Sequence, residues 1–196
     1  MNDKITISRL FDHCADAQRA MHQLQEAGVR EDDISLIANN ADKWYAPDYA
    51  AGAGKGAAIG AGFGGFGGLL AGLGLLAIPG IGPVVAFGWL AAAAAGAVAL
   101  GAAGGVIGMM AEAGVATNEA EIYAESIRRG GSLVSARVPA ADRGRLEAVL
   151  HPSSVDIGKR RESLAADGWK QFDPAAPDYT AEEIARERGR RTVSPT

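Results

Sequence analysis

From Gly56 to Ala111 the chain has no acidic, basic, amide or hydroxyl side chain, and every formal charge it carries lies outside that stretch. A run of this kind offers water almost nothing, so it must be covered by lipid, by a partner or by the rest of the fold. Near its middle stand Pro79-Gly80-Ile81-Gly82-Pro83, residues that end helices because proline lacks an amide donor and glycine gives up backbone entropy. The pattern predicts a helical hairpin over residues 51–111. Its arms, about 54–78 and 84–110, each approach the roughly twenty residues that cross a bilayer core.

Glycine recurs at every fourth position in the first arm, as Gly52, Gly56, Gly60, Gly64, Gly68 and Gly72, and Gly88, Gly96, Gly101, Gly104 and Gly108 extend the habit into the second. Ridges without side chains let helix backbones pack closely, which is the glycine-zipper arrangement. Glycine and alanine gain little on transfer into lipid compared with leucine, so such a segment is a weak anchor for its length. Self-association of the hairpins is therefore expected beside anchorage, with the lipid bilayer and further copies of the chain as partners. Two other arrangements stay open: an oligomeric pore lined by glycine backbone, and a soluble oligomer, with a ligand-binding or regulatory role, that buries the hairpins in a common core.

The charged flanks read as a soluble module split by this insert. Residues 1–50 contain an alternating strand around Ile5 and Ile7, a helix from about His13 to Ala27 with Ala17, Ala20, Met21 and Leu24 on one face, and a strand over Ile34 to Ala38. A connecting helix implies that the two strands run parallel. Residues 112–161 supply a helix with a capping-box spacing at Asn118 to Glu121, ended by Gly130-Gly131, then a strand over Leu133 to Val138, a helix through Leu150 and a short strand at Val155 and Ile157. Four strands and their packing helices predict one ferredoxin-like α+β domain. The polar tail, 162–196, holds Trp169 and Phe172, which fit core packing or, as the alternative, docking at the domain surface or the lipid interface, and a charged helix at about 181–191 with almost no apolar face, expected to be marginal and solvated.

Chemistry-bearing motifs fail on inspection. Gly60 to Gly65 matches G-x-G-x-x-G, but no acid follows until Glu112 to hold a ribose. Gly54-Lys55-Gly56 lacks the first glycine and the Ser or Thr of a phosphate-binding loop. His13, Cys14 and His22 have no second cluster at ligand spacing, and His151 has no nucleophile beside it in sequence. A net charge of -4, with the arginines of the tail interleaved by acids, disfavours nucleic acid. The expectation is a non-enzymatic protein with no cofactor, no metal and no identified small-molecule substrate.

Three stretches together, Ile34 to Ala38, Ile78-Pro-Gly-Ile-Gly-Pro83, and Glu119 to Val134 with Tyr123 and Arg129-Gly130-Gly131, resemble the bacterial general stress and low-temperature-induced proteins that carry an Ala/Gly-rich insert. The resemblance covers about residues 3 to 160 and implies a stress-associated bacterial membrane protein without catalytic residues. Lys43 and Lys55 before the insert and Arg128 and Arg129 after it place both termini on the cytoplasmic face of the inner membrane by the positive-inside rule. The start of the chain lacks a signal-peptide pattern, and the single Cys14 gives no disulfide framework.

Overall fold

The computed structural model describes residues 4–41, 43, 45, 74–78, 80–93 and 105–193. Among them, five strands form one antiparallel sheet: β1 (Lys4–Phe11), β2 (Ile34–Asn39), β3 (Gly74–Ile78), β4 (Gly82–Gly88) and β5 (Ser132–Pro139), in the order β1-β5-β2-β4-β3. The helices are α1 (Cys14–Glu26), α2 (Gly105–Glu112), α3 (Thr117–Arg128), α4 (Arg143–Leu150), α5 (Ile157–Ala166) and α6 (Ala181–Val193). The architecture is α+β.

β5 pairs antiparallel with both β1 and β2, Ser135 lying opposite Ser8 on one side and Ser35 on the other. The strands joined by α1 are therefore parallel, as expected, with β5 inserted between them. Alternation along each strand sends its side chains to two faces. One face carries Ile7, Phe11, Leu36, Val134 and Ala136 against Ala17, Ala20, Met21 and Leu24 of α1 and Leu146 and Leu150 of α4. The other carries Leu10, Ile37 and Leu133 against Ala120, Tyr123 and Ile127 of α3 and Met110 of α2. β2 lies between β5 and β4, and all six of its residues are buried.

The structure corrects the sequence reading at several places. Residues 74–78 and 84–88, expected as helix in the two arms, instead belong to the strands β3 and β4, with Leu76 opposite Val84 and Leu75 opposite Val85. The reason is tertiary: β2 has an open edge, and Val84, Val85 and Phe87 fit a pleated surface with one face in the core. Helix occurs in the arms at residues 89–93 and in α2. No helix among the described residues is long and apolar enough to cross a membrane. The expected strand at Val155 and Ile157 shrinks to one bridge, Val155 N–H to the Leu10 carbonyl at 2.8 Å, because Asp156 caps α5 by accepting from the Lys159 amide. α3 starts at Thr117 behind Ala116 with no side-chain cap bond, so the spacing at Asn118 to Glu121 does not act as a capping box.

The tail overturns its expectation most. α6 is docked: Ile184 is fully buried, and Glu187 nearly so. Its capping box does form, with Glu183 accepting from the Thr180 amide at 2.8 Å and the Glu183 amide donating to the Thr180 hydroxyl at 3.3 Å. The backbone bond to Thr180 is the main reason the Glu183 carboxyl is held below its usual pKa. A single buried isoleucine escaped the periodicity argument because the rest of the helix is charged. Ile184→Ala is expected to lower the unfolding free energy by about 2–4 kcal/mol, measured by urea denaturation. A solvated helix would change by under about 0.5 kcal/mol.

Candidate functional site

The β3–β4 hairpin and the tail that lies on it form the part of the fold where sequence and structure differ most. The reversal is made by Gly80, at φ +75, and Gly82, at φ +91, conformations that a side chain rarely tolerates. The Ile81 amide donates to the Ile78 carbonyl at 3.0 Å, and both side chains enter the core. A Cβ added at Gly80 would come within 2.6 Å of the Pro174 backbone, and one at Gly82 would sit 3.3 Å from the Asp178 carboxyl carbon. These turn glycines therefore admit a close approach by the chain's own tail. Phe172 follows the same path into the core, with Trp169 half-buried beside it. That agrees with the packing role expected for both.

The strap is fastened by ions. Glu125, on α3, is completely buried between two arginines of its own helix end, Arg128 Nη2 at 2.6 Å and Arg129 Nε at 2.6 Å. Arg129 Nη1 continues to Asp167 at 2.8 Å. From α6, Arg188 Nη2 donates to the Gly130 carbonyl at 3.1 Å, and Arg191 reaches both the Arg129 carbonyl at 3.3 Å and Asp12 at 3.0 Å. Arg160 of α5 shares Asp12, while Arg190 pairs with Glu187 on α6 itself. The rings of Tyr179 and Phe172 stack beneath Arg128 at 5.5 and 5.7 Å. Planar guanidinium groups suit such layers, being weakly hydrated and able to hold aromatic faces and carboxylates together. Desolvation of ions offsets much of their attraction, so the network's role is to set where the tail seats more than to add net stability.

Tyr123, also on α3, faces the sheet, its hydroxyl 3.4 Å from the Ser8 carbonyl. Burial first, and then the Glu119 charge, pushes its pKa up to about 12 from the ordinary 10.0. The folded value is the higher one, so the folded chain keeps the phenolic proton longer. The associated stability is present below about pH 10 and is lost as pH rises toward 12, by about 2–3 kcal/mol. In urea melts at pH 9 and pH 11.5, Tyr123→Phe is expected to lose about 2 kcal/mol less stability than the parent, since all other alkaline groups are common to both.

The sequence-predicted residues fall into three groups. Gly52, Gly56, Gly60, Gly64, Gly68, Gly72, Gly96, Gly101, Gly104 and Pro79 lie outside the described residues. Gly80, Gly82 and Pro83 do form the hairpin turn region, but of a β-hairpin, with the Pro83 carbonyl accepting from the Asn40 amide at 2.8 Å. Gly88 ends β4 against the start of β2; Gly108 is helical, and a Cβ there would meet nothing within 4 Å among the described residues. The network around Glu125 was missed, although Glu125, Arg128 and Arg129 stand at the i, i+3 and i+4 spacing that pairs charges on a helix.

Among the described residues no group of three or more His, Cys, Asp or Glu is placed to hold a metal. No family model matches the chain, and neither the curated proteins nor the solved structures contain a match.

Proposed function

We propose that the chain is a non-enzymatic, stress-associated membrane protein, in which a cytoplasmic α+β module is attached to the bilayer, and to further copies of itself, by its Gly/Ala-rich insert. The observation that carries the reading is compositional: residues 56–73 and 94–104 contain only apolar side chains and glycine. The association with stress rests on the resemblance of three short stretches alone. The module itself is read as a ferredoxin-like core. Support comes from β5 lying between β1 and β2, from α1 and α4 sharing one face, and from Val155 bridging the outer edge of β1.

The sheet bears on the manner of attachment. β2, which precedes residues 46–73, and β3, which follows them, belong to one sheet, so that segment begins and ends on the same side of any bilayer. Twenty-eight residues divided into two helical legs would reach only about 21 Å each, short of the roughly 30 Å hydrocarbon core. The reading is therefore shallow insertion from the cytoplasmic side, with both termini on that side, in place of two full crossings.

Flotation of the purified full chain with vesicles of phosphatidylethanolamine and phosphatidylglycerol tests this. The protein is expected to rise with the lipid and to stay there after an alkaline carbonate wash. The variant Gly60→Lys/Gly64→Lys/Gly68→Lys should remain at the bottom with an unchanged circular dichroism spectrum. Parent protein that stays in the aqueous fraction defeats the membrane reading. Crosslinking in those vesicles reports self-association, which Gly60→Leu/Gly64→Leu is expected to reduce.

A further inference from the structure

At the end of the sheet that holds Lys4 and Pro139, a cavity of about 220 Å³ opens where four short segments meet. Lys4 enters from β1 and Arg137 from β5, Arg30 and Asp33 from the turn before β2, and Arg145 and Asp142 from the start of α4. Four cations thus face two carboxylates. Asp33 is nearly buried and serves two of them, accepting from Lys4 Nζ at 2.7 and 2.9 Å and lying 3.3 Å from Arg137 Nε. Asp33 therefore gathers both cations at the rim of the cavity, where Arg137 also donates to the Asp32 carbonyl at 3.0 Å and lies over the Trp89 ring at 5.1 Å, and the four cations lining the cavity outnumber its two carboxylates.

The other two cations stand at the mouth and are loosely held. Arg145 bonds the Ala27 carbonyl and Asp142, both at 3.2 Å, and Arg30 reaches Asp32 at 3.2 Å, a residue that does not line the cavity. These mouth pairs are well exposed, and exposed ion pairs contribute little. An incoming dianion with several oxygens offers each guanidinium a stronger, bidentate partner than a solvated carboxylate does. The floor, from Val29, Val138 and Leu146, is apolar.

We infer that this cavity is a binding site for a phosphate dianion, either inorganic phosphate or the head of a small phosphate monoester whose body rests on the apolar floor. Arg145 and Arg30 clasp the oxygens, and Lys4 and Arg137, held by Asp33, supply the standing positive field. Asp142 competes with the ligand for Arg145. The inference is independent of membrane attachment.

Calorimetric titration of the full chain with inorganic phosphate and with phenyl phosphate, against sodium chloride at matched ionic strength, tests it. Binding is expected for at least one probe, weakened by about tenfold or more in Arg30→Ala/Arg145→Ala, because each charge-assisted bond to the anion is lost. Asp142→Asn is expected to tighten binding about threefold or more by removing the competing charge. Tighter binding of phenyl phosphate than of inorganic phosphate assigns the site to a monoester; equal affinity assigns it to the free ion. Absence of heat beyond the chloride control overturns the inference. So does binding that the arginine pair does not alter, or that Asp142→Asn weakens. Both arginines are exposed and leave the core intact, and a urea melt of the variants confirms that they fold.

Discussion

Glu125→Ala is expected to lower the unfolding free energy by about 3–5 kcal/mol, the range for leaving buried charges without their partner. Glu125 is 0% exposed, and the two guanidinium groups it bridges have side chains only 8% and 9% exposed. Arg128 is the more vulnerable of the pair. Its Nε and Nη1 are already buried without a hydrogen bond, so the carboxylate at 2.6 Å and the aromatic faces of Phe172 and Tyr179 are what hold its charge. Arg129 retains Asp167. Urea denaturation at neutral pH measures the loss, and a change below about 1 kcal/mol would mean that water reaches the arginines after all. The triple replacement Glu125→Leu/Arg128→Met/Arg129→Met is expected to recover much of the loss, because swapping a whole buried ionic group for apolar side chains removes the desolvation penalty along with the attraction. What it should not recover is the seating of the tail, and limited proteolysis after residue 168 is expected to accelerate in it.

A comparably large effect is expected at Gly88. The residue closes β4 opposite Ser35 with φ +78, and an added Cβ would stand 2.2 Å from the Ile34 carbonyl oxygen and 3.0 Å from the Ser35 Cα. Both neighbours are backbone of the central strand and cannot step aside without moving the ladder. Gly88→Ala therefore combines a left-handed backbone, at about 1–2 kcal/mol, with displacement of a strand, for a total of about 3 kcal/mol or more. Gly114→Ala is the control. Its φ of +87 is similar, but a Cβ there meets nothing within 4 Å, so it should show the backbone penalty alone. Equal losses in the two variants would show that β4 is not seated against β2 as described.

Gly88 also shows how far a pattern of glycines can be read. By spacing it belongs to the same small-residue series as Gly96 and Gly104, and spacing alone made it a helix-packing residue. In the fold it permits one strand end to lie against another. The ambiguity is physical: a short apolar run with glycine and branched residues satisfies either period until an open strand edge is there to receive it. Val84 to Phe87 met such an edge on β2, and Leu75 to Ile78 then paired with the strand they formed. α1 was legible because thirteen residues of clean 3.6-residue periodicity leave only one face to bury. The strands β1, β2 and β5 were legible from alternation and β-branched content.

The tail failed for the opposite reason. Its apolar signal was spread over Trp169, Phe172 and Ile184, too far apart in sequence to mark a face, and charge was taken as a mark of solvent. Arginine and glutamate can be buried when they meet each other, and that meeting depends on Asp12, Glu125 and Arg160, which lie outside the tail on three other segments. The phosphate cavity is of the same kind, since Lys4, Arg30, Arg137 and Arg145 share no motif.

The sequence by itself determined the α+β composition, the outer boundaries of the uncharged insert and the amphipathic faces of α1 and α3, because each follows from local periodicity and from the free energy of moving side chains out of water. Only the tertiary structure decided that the middle of the insert completes the sheet, that the tail is a strap and that scattered cations surround one cavity. Those outcomes depend on which backbone edges remain unpaired and which charges can neutralise one another, and neither is a property of neighbouring residues.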